Sequence, residues 1–394
     1  MGNRRLLPAV ALGSLVASMF VGAISAAATP GPLTYLIGVD AAGPTGHNFE
    51  YVDFFPRGQV RPNDPPAVVG NGAVLDFRYN VGSLDGLHTA TLLPFGETPD
   101  QAWAQQPLLI GDEPESAPPP NLILNPDAIF PSSASCGGSA HPCLYSGAAE
   151  VNSGALPAFT PTRDFFVRIA VPLSSHPTTI HYVCLIHPGM QGNVTVVPGG
   201  SSASTRASFS SDVQNQLNAD TADALSAESE ANSTAVKPND DGTNTITMTA
   251  GTATQFVEVV EMLPQNVAVH EGDTVKWVTM TKKDPHTVSF PDLQENFSPQ
   301  DPIQLACEGA SGDTAATGPP PDFGCGTNPT EFTVNLFPQG PAQISSSSTM
   351  ASSGVIATFG GLPDNYSFSF PSTGSFSYQC RIHDHMNGTI TVTP

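Results

Sequence analysis

Charge is scarce in this chain, and positive charge is scarcest. Only 12% of its 394 residues are charged, and 13 Lys and Arg stand against 35 Asp and Glu, for a formal net charge of −22. A surface of that sign repels nucleic acid and anionic lipid headgroups, so neither is expected as a partner. It keeps a protein in solution, and it also steers a basic protein toward it. Long apolar runs are lacking as well. Beyond the first 30 or so residues no stretch of about 20 apolar residues occurs, so no integral membrane segment is expected in the mature chain. Cysteine is absent before Cys136, which excludes a lipid anchor on an N-terminal thiol. Glycine and proline, by contrast, are abundant, at 36 and 39. With 39% hydrophobic residues, that mix suits short strands joined by many turns rather than long helices.

The N-terminus reads as an export signal over residues 1–28. Arg4 and Arg5 supply the positive start, residues 6–24 an apolar core, and Ala26, Ala27 and Ala28 a small-residue cleavage site. The apolar core is marginal in length for a membrane span, and its Gly, Ser and Ala content argues for cleavage. The mature protein is therefore expected outside the cytoplasm: periplasmic, at the cell surface or secreted.

Six cysteines fall into two groups of three: Cys136, Cys143 and Cys184, then Cys307, Cys325 and Cys380. Export favours disulfides, and an odd number per group leaves one thiol over in each. Comparison of the chain with itself supplies a reason. Residues 181–198, HYVCLIHPGMQGNVTVVP, align with residues 377–394, SYQCRIHDHMNGTITVTP, at a constant offset of 196. Upstream, His88-Thr-Ala-Thr parallels His286-Thr-Val-Ser at an offset of 198. The chain is thus a tandem duplication, with copies over 29–198 and 246–394 and a Ser/Ala/Asn-rich linker over 199–245. Within that linker, residues 212–231 carry Val213, Leu217 and Leu225 among good helix formers, so a short, weakly amphipathic helix is expected there. Elsewhere the β-rich runs at 165–171, 179–184, 193–197, 254–260, 274–279, 375–380 and 389–393 are bounded by turn residues, and they predict an all-β chain with a β-sandwich in each copy.

In each copy one strand ends in Cys, with His three residues later and Met three after that: Cys184, His187 and Met190, then Cys380, His383 and Met386. A further His, His88 or His286, lies far upstream. Two imidazoles, one thiolate and a weak thioether are the ligand list of a type 1, or blue, copper site. The soft thiolate carries electron density out of the core, imidazoles suit both copper oxidation states, and the thioether favours Cu(I). Three ligands on one tight loop fix half of the cage, and the remote His makes the rest depend on the folded sandwich.

This pattern resembles the cupredoxins of the plastocyanin, amicyanin and halocyanin kind. The resemblance implies an eight-stranded Greek-key β-sandwich in each copy, with copper at one end. It places one type 1 copper on His88, Cys184, His187 and Met190 and another on His286, Cys380, His383 and Met386. Two departures stand out. Only two residues separate the loop His from Met, fewer than in plastocyanin. The first His and the Cys are 96 and 94 residues apart in the two copies, about twice the interval of a minimal cupredoxin, so each copy holds an inserted excursion. The remaining four cysteines sit in those excursions and allow three pairings. The duplication favours Cys136–Cys143 and Cys307–Cys325.

The expected function is single-electron transfer to and from a redox protein partner, a basic one given the chain's charge, with His187 and His383 near the surface among apolar neighbours as exits. Copper delivery or a cell-surface binding module is the rival without redox chemistry. An oxidase or nitrite reductase is disfavoured. Dioxygen reduction calls for four His-x-His pairs, and only His383-Asp384-His385 has that spacing among the ten histidines; no Cys-His dipeptide occurs. The chain is therefore expected not to be an enzyme. His385 is expected to face solvent or to tune the second site, His181 to face away from the thiolate, and His47, His141, His176 and His270 have no evident partners.

Overall fold

The computed structural model describes residues 32–79, 87–111, 122–156, 163–172, 176–198, 202–281, 283–292, 303–307, 314–315, 330–334 and 336–394. Period-two patterning builds both copies. In Gln191–Val197 the side chains of Val194 and Val196 turn inward, and in Asn387–Thr393 their counterparts Ile390 and Val392 do the same. Two sheets form around the first core. One runs Phe54–Phe55, Thr34–Val39, Val74–Tyr79, Asp164–Ile169, Cys143–Tyr145, and the other Val151–Asn152, Thr91–Leu92, Thr178–Val183, Gln191–Val197, Val68–Gly70. The second copy repeats the plan. Asn244–Ala253 lies parallel to Thr274–Val278 as Thr34–Val39 lies parallel to Val74–Tyr79. The chain is all-β in this sense, two cupredoxin-like sandwiches with few helices.

Equivalent aromatics fill the two cores. Tyr182 packs edge-on against Phe54 and Phe77 at ring separations of 4.9 and 5.2 Å, and Tyr378 meets Trp277 and Phe290 at 5.1 and 5.3 Å. Large buried rings of this kind contribute most of a sandwich core's apolar burial.

The copies are interlocked. Phe49–Tyr51, from the first copy, adds an edge strand to the second copy's sheet by pairing antiparallel with Val257–Leu263. The two excursions also share one sheet, in the order Thr314–Ala315, Ile303–Cys307, Thr330–Val334, Leu122–Leu124, Leu109–Gly111. Residues Leu33–Pro394 form one compact unit.

The segment between the copies carries a helix, Arg206–Ala231, capped by Thr205, whose hydroxyl accepts the Ser208 N–H at 3.0 Å. It extends beyond the 212–231 expected, and it lies on a core made by both copies: Phe49, Tyr51 and Phe55 from one and Val257, Val259 and Leu263 from the other, with Val213, Leu217 and Ala224 from the helix. Polar contacts anchor it. Asp220 forms an ion pair with the buried Arg57 at 2.9 Å, and Arg57 also meets Asp53, Asp64 at 3.2 Å and the face of Phe256 at 3.7 Å. Cys136 and Cys143 form the expected disulfide. Cys325 lies outside the described residues, so the second pairing does too; Cys307 ends the strand Ile303–Cys307.

Candidate metal centres

The upstream His of each copy is fixed by backbone. His88 exchanges both backbone hydrogen bonds with Leu156 at 3.1 and 2.6 Å, and His286 does so with Ile356 at 2.9 and 2.8 Å. The Cys loop closes beside it. The Cys184 N–H donates to the Met190 carbonyl at 3.0 Å, and the Cys380 N–H to the Met386 carbonyl at 2.7 Å. In the first copy the Met190 N–H also donates to the His187 carbonyl at 3.0 Å, so the loop folds back on its own ligands.

These two anchors bring the candidate ligands together. Cys184 Sγ lies 3.6 Å from His187 Nδ1 and 3.9 Å from His88 Nδ1, and the two nitrogens are 3.0 Å apart. In the second copy Cys380 Sγ is 3.6 Å from His383 Nδ1, which is 3.2 Å from His286 Nδ1. With metal–nitrogen bonds of about 2 Å and metal–sulfur bonds of about 2.3 Å, the edges of one coordination sphere run about 3.3–3.8 Å. Three donor atoms facing one point at such spacing fit a single soft-to-borderline ion in each copy. Met190 and Met386 are buried in the same cores as Cys184 and Cys380. The thiolates also receive backbone donors, from Thr89 at 3.3 Å and Thr287 at 3.4 Å. The threonine hydroxyls accept the N–H of Leu185 and of Arg381, each one past its Cys, at 2.8 and 2.7 Å.

Electrostatics favour the anionic ligand. Burial opposes ionisation of Cys184, but the rings of His187 and His88 outweigh it and bring the thiol down to about 5. Cys380 is held well below the usual thiol range in the same way, by His286 and His383 against burial. Burial likewise disfavours the charged form of His187, yet Asp284 and Cys184 push it up to about 10.

His187 and His383 are not at the surface among apolar groups. They are 7% and 6% exposed, each covered by the other copy. Nε2 of His187 lies 3.2 Å from Asp284 Oδ1, in the second copy, and 3.8 Å from Glu50 Oε1. Nε2 of His383 lies 4.0 Å from Glu50 Oε2, in the first copy, and Nε2 of His88 lies 3.3 Å from Glu50 Oε1. The two centres therefore face each other across buried carboxylates, because the end of the sandwich that a lone domain would show to solvent is the face on which the copies meet. Gly251, with φ of 73°, makes room for His286: a Cβ there would fall 2.0 Å from its Nε2.

The carboxylates escaped the sequence reading, although a signal existed. Phe49-Glu50-Tyr51 and Val257-Glu258-Val259 each set one acid inside an apolar strand, and Asp284 stands two residues before His286 where the first copy has Gly86 before His88. Of the other histidines, His47 meets Glu228, His270 lies 3.8 Å from Asp273, His181 is half-buried, and His141, His176 and His385 are exposed.

Two cupredoxin-like sandwiches each gather two imidazoles and a thiolate in a group that fits a cupredoxin-like copper site. No protein-family model and no curated protein matches the chain. Among solved structures, amicyanin from Paracoccus versutus matches at 16% identity over 37% of this chain and 79% of its own, with a TM-score of 0.17. A copper-containing nitrite reductase from Thermus scotoductus SA-01 matches at 12% identity over 92% of this chain and 68% of its own, with a TM-score of 0.21. A blue copper oxidase from Nitrosomonas europaea matches at 9% identity over 92% and 86%, with a TM-score of 0.18. The expectation that the chain is not an enzyme does not stand, since the matches that span 92% of it are themselves copper enzymes. Counting His-x-His pairs along a sequence misses sites assembled from separate segments. Among the described residues no helix is long and apolar enough to cross a membrane.

Proposed function

We propose that each copy binds one type 1 copper ion, on His88, Cys184, His187 and Met190 in the first and His286, Cys380, His383 and Met386 in the second, and that the chain transfers single electrons. The observation that carries this reading is the twofold convergence of Nδ1, Nδ1 and Sγ within 3.0–3.9 Å in one copy, repeated at 3.2–3.6 Å in the other. Bound copper would supply one-electron exchange at each centre. The chain's own residues hold the cage: His88 and His286 from paired backbone, the other ligands from a closed loop, and Thr89 and Thr287 as donors that orient the thiolates. Burial excludes water and other ligands. His187 and His383 face each other through Glu50 and Asp284, which supports electron exchange between the copies as well as with a partner. The surface charge fits a basic redox protein, and the N-terminal signal fits a periplasmic, cell-surface or secreted location. Residues 29–198 and 246–394 are the two copper domains in this reading, with 1–28 removed and 199–245 joining them.

The test is an optical and EPR spectrum of copper-saturated protein with metal counted per chain. Two coppers with thiolate absorption near roughly 600 nm are expected for such sites. Cys184→Ser and Cys380→Ser should each remove one blue centre and leave the other. Unchanged copper count and colour in either variant would show that copy to hold no such centre.

A further inference from the structure

Three segments distant in sequence line an open cleft of about 310 Å³, and a fourth, carrying Glu228, reaches its edge through His47. His47 stands in the turn before Phe49–Tyr51, Glu228 near the end of the helix Arg206–Ala231, Glu261 on the strand Val257–Leu263, and His385 in the loop between Cys380 and Met386. None of them belongs to either Cys-containing centre. Nδ1 of His47 is 2.7 Å from Glu228 Oε2, and Glu261 Oε1 accepts the Asn48 N–H at 2.6 Å. Donor atoms of His47, Glu228 and Glu261 all lie within 4.8 Å of one another. Each Glu keeps a second oxygen for a ligand, and the cleft opens His47 and Glu261 to solvent.

His385 lines the same cleft, beside His47 and Glu261. Its backbone has φ of 62°, a conformation that favours glycine, and at the equivalent place in the first copy stands Gly189, with φ of 100°. The second copy thus keeps an imidazole where the turn itself calls for no side chain, and strained positions of this kind gather at functional sites. The side-chain amide of Asn48 holds the two loops together, donating to the carbonyls of Asp384 and Val260 at 3.0 Å each.

We propose that His47, Glu228 and Glu261 bind a divalent transition-metal ion, with His385 placed to join them from across the cleft. Imidazole with carboxylates suits Zn²⁺ or Cu²⁺, and a donor set without thiolate distinguishes it from the two buried centres. A site with few protein ligands, open to a cleft, keeps positions for water or a small anion, as reactive metal sites do and structural ones do not. His385 lies two residues along the chain from His383, so on the reading proposed above a ligand that engaged it would be linked through this loop to the second thiolate centre.

The test uses the full chain with its thiolate sites already filled with copper and excess metal removed. Zn²⁺ titrated into it should bind as one further equivalent. Cu²⁺ in its place should give a type 2 EPR signal with no added absorption near roughly 600 nm. Glu228→Gln and His47→Ala should each weaken that equivalent by roughly tenfold or more, and His385→Gly by less, with the blue absorption unchanged. Glu228→Gln keeps the size and helix preference of the side chain, so it reads the site even if another variant folds poorly. The absence of a further equivalent, or its survival at full affinity in Glu228→Gln and Glu261→Gln together, would overturn the proposal. The blue band and the Zn²⁺ count report on different sites, so failure of one reading leaves the other measurable.

Discussion

Glu50 and Glu258 stand directly opposite each other in the ladder that joins the two copies, and both are buried. Like charges paired this way repel, and the pair divides the burden. Burial and Asp284 hold Glu258 well above the usual carboxylate range. Burial and Asp284 push the same way at Glu50, but His88 and His187 outweigh them and bring it below its usual value. Glu50 contacts histidines of both centres.

Replacing Glu50 by Gln removes a negative charge shared by the two sites, so both reduction potentials should rise, because Cu(I) is the less positive state. Burial and Asp284 push Glu258 toward its neutral form, so Glu258→Gln should shift both far less. Spectroelectrochemical titration of the two variants checks this. A shift confined to one copper, or a larger one in Glu258→Gln, would show that Glu50 is not the shared group.

Gly251→Ala should disturb the second centre alone. Its new methyl would fall on His286 Nε2, and the backbone there has φ of 73°. The expected result is weaker copper binding and an altered blue band from the second copy, with the first unchanged. Comparison against Cys184→Ser and Cys380→Ser backgrounds assigns the bands. Equal change in both would point to general loosening instead.

Arg57 is buried among Asp53, Asp64 and Asp220 and ties the helix Arg206–Ala231 to the first sandwich. Arg57→Met leaves buried carboxylates without their cation, which destabilises by about 3–5 kcal/mol in comparable cases. Denaturant unfolding should show a loss of that order. A loss under about 1 kcal/mol would mean that the acids are neutral or solvated.

Burial raises Asp76 to about 6, more than its bond to Arg78 at 2.8 Å lowers it. The folded chain then holds this proton more tightly than the unfolded chain, whose value is near 3.8. Its contribution is favourable below about pH 4 and is lost as pH rises to about 6. Asp76→Asn should remove that slope and stabilise the protein near neutrality by on the order of 1 kcal/mol, once solvent screening is allowed for. Unfolding curves of both proteins between pH 4 and 7 decide it, and parallel curves would place the slope elsewhere.

The ligand loops were legible because Cys184, His187 and Met190 sit at fixed short spacing, and the 196-residue offset repeats them. The strand patterns were legible for the same local reason. What joins the copies was not. Glu50 and Glu258 are 208 residues apart, and nothing local marks them as partners. Arg206–Ala231 buries Gln216 and Asp220 as well as Phe209 and Ala224, so its packed face carries little apolar periodicity. The burial of His187 and His383 follows from that meeting of copies, and no motif along the chain encodes it.

Gene duplication commonly leaves two portable halves that can later be shuffled, trimmed or lost one at a time. The strand Phe49–Tyr51 removes that freedom. It lies within the first half yet completes the second half's sheet, and it carries Glu50 to the far side. Cutting the halves apart would bare a sheet edge on one and strand an acid-bearing segment on the other, an invitation to aggregation. Inheritance must therefore act on the pair, and the two copies are free to diverge in task, as Gly189 and His385 already have in kind, without either becoming dispensable.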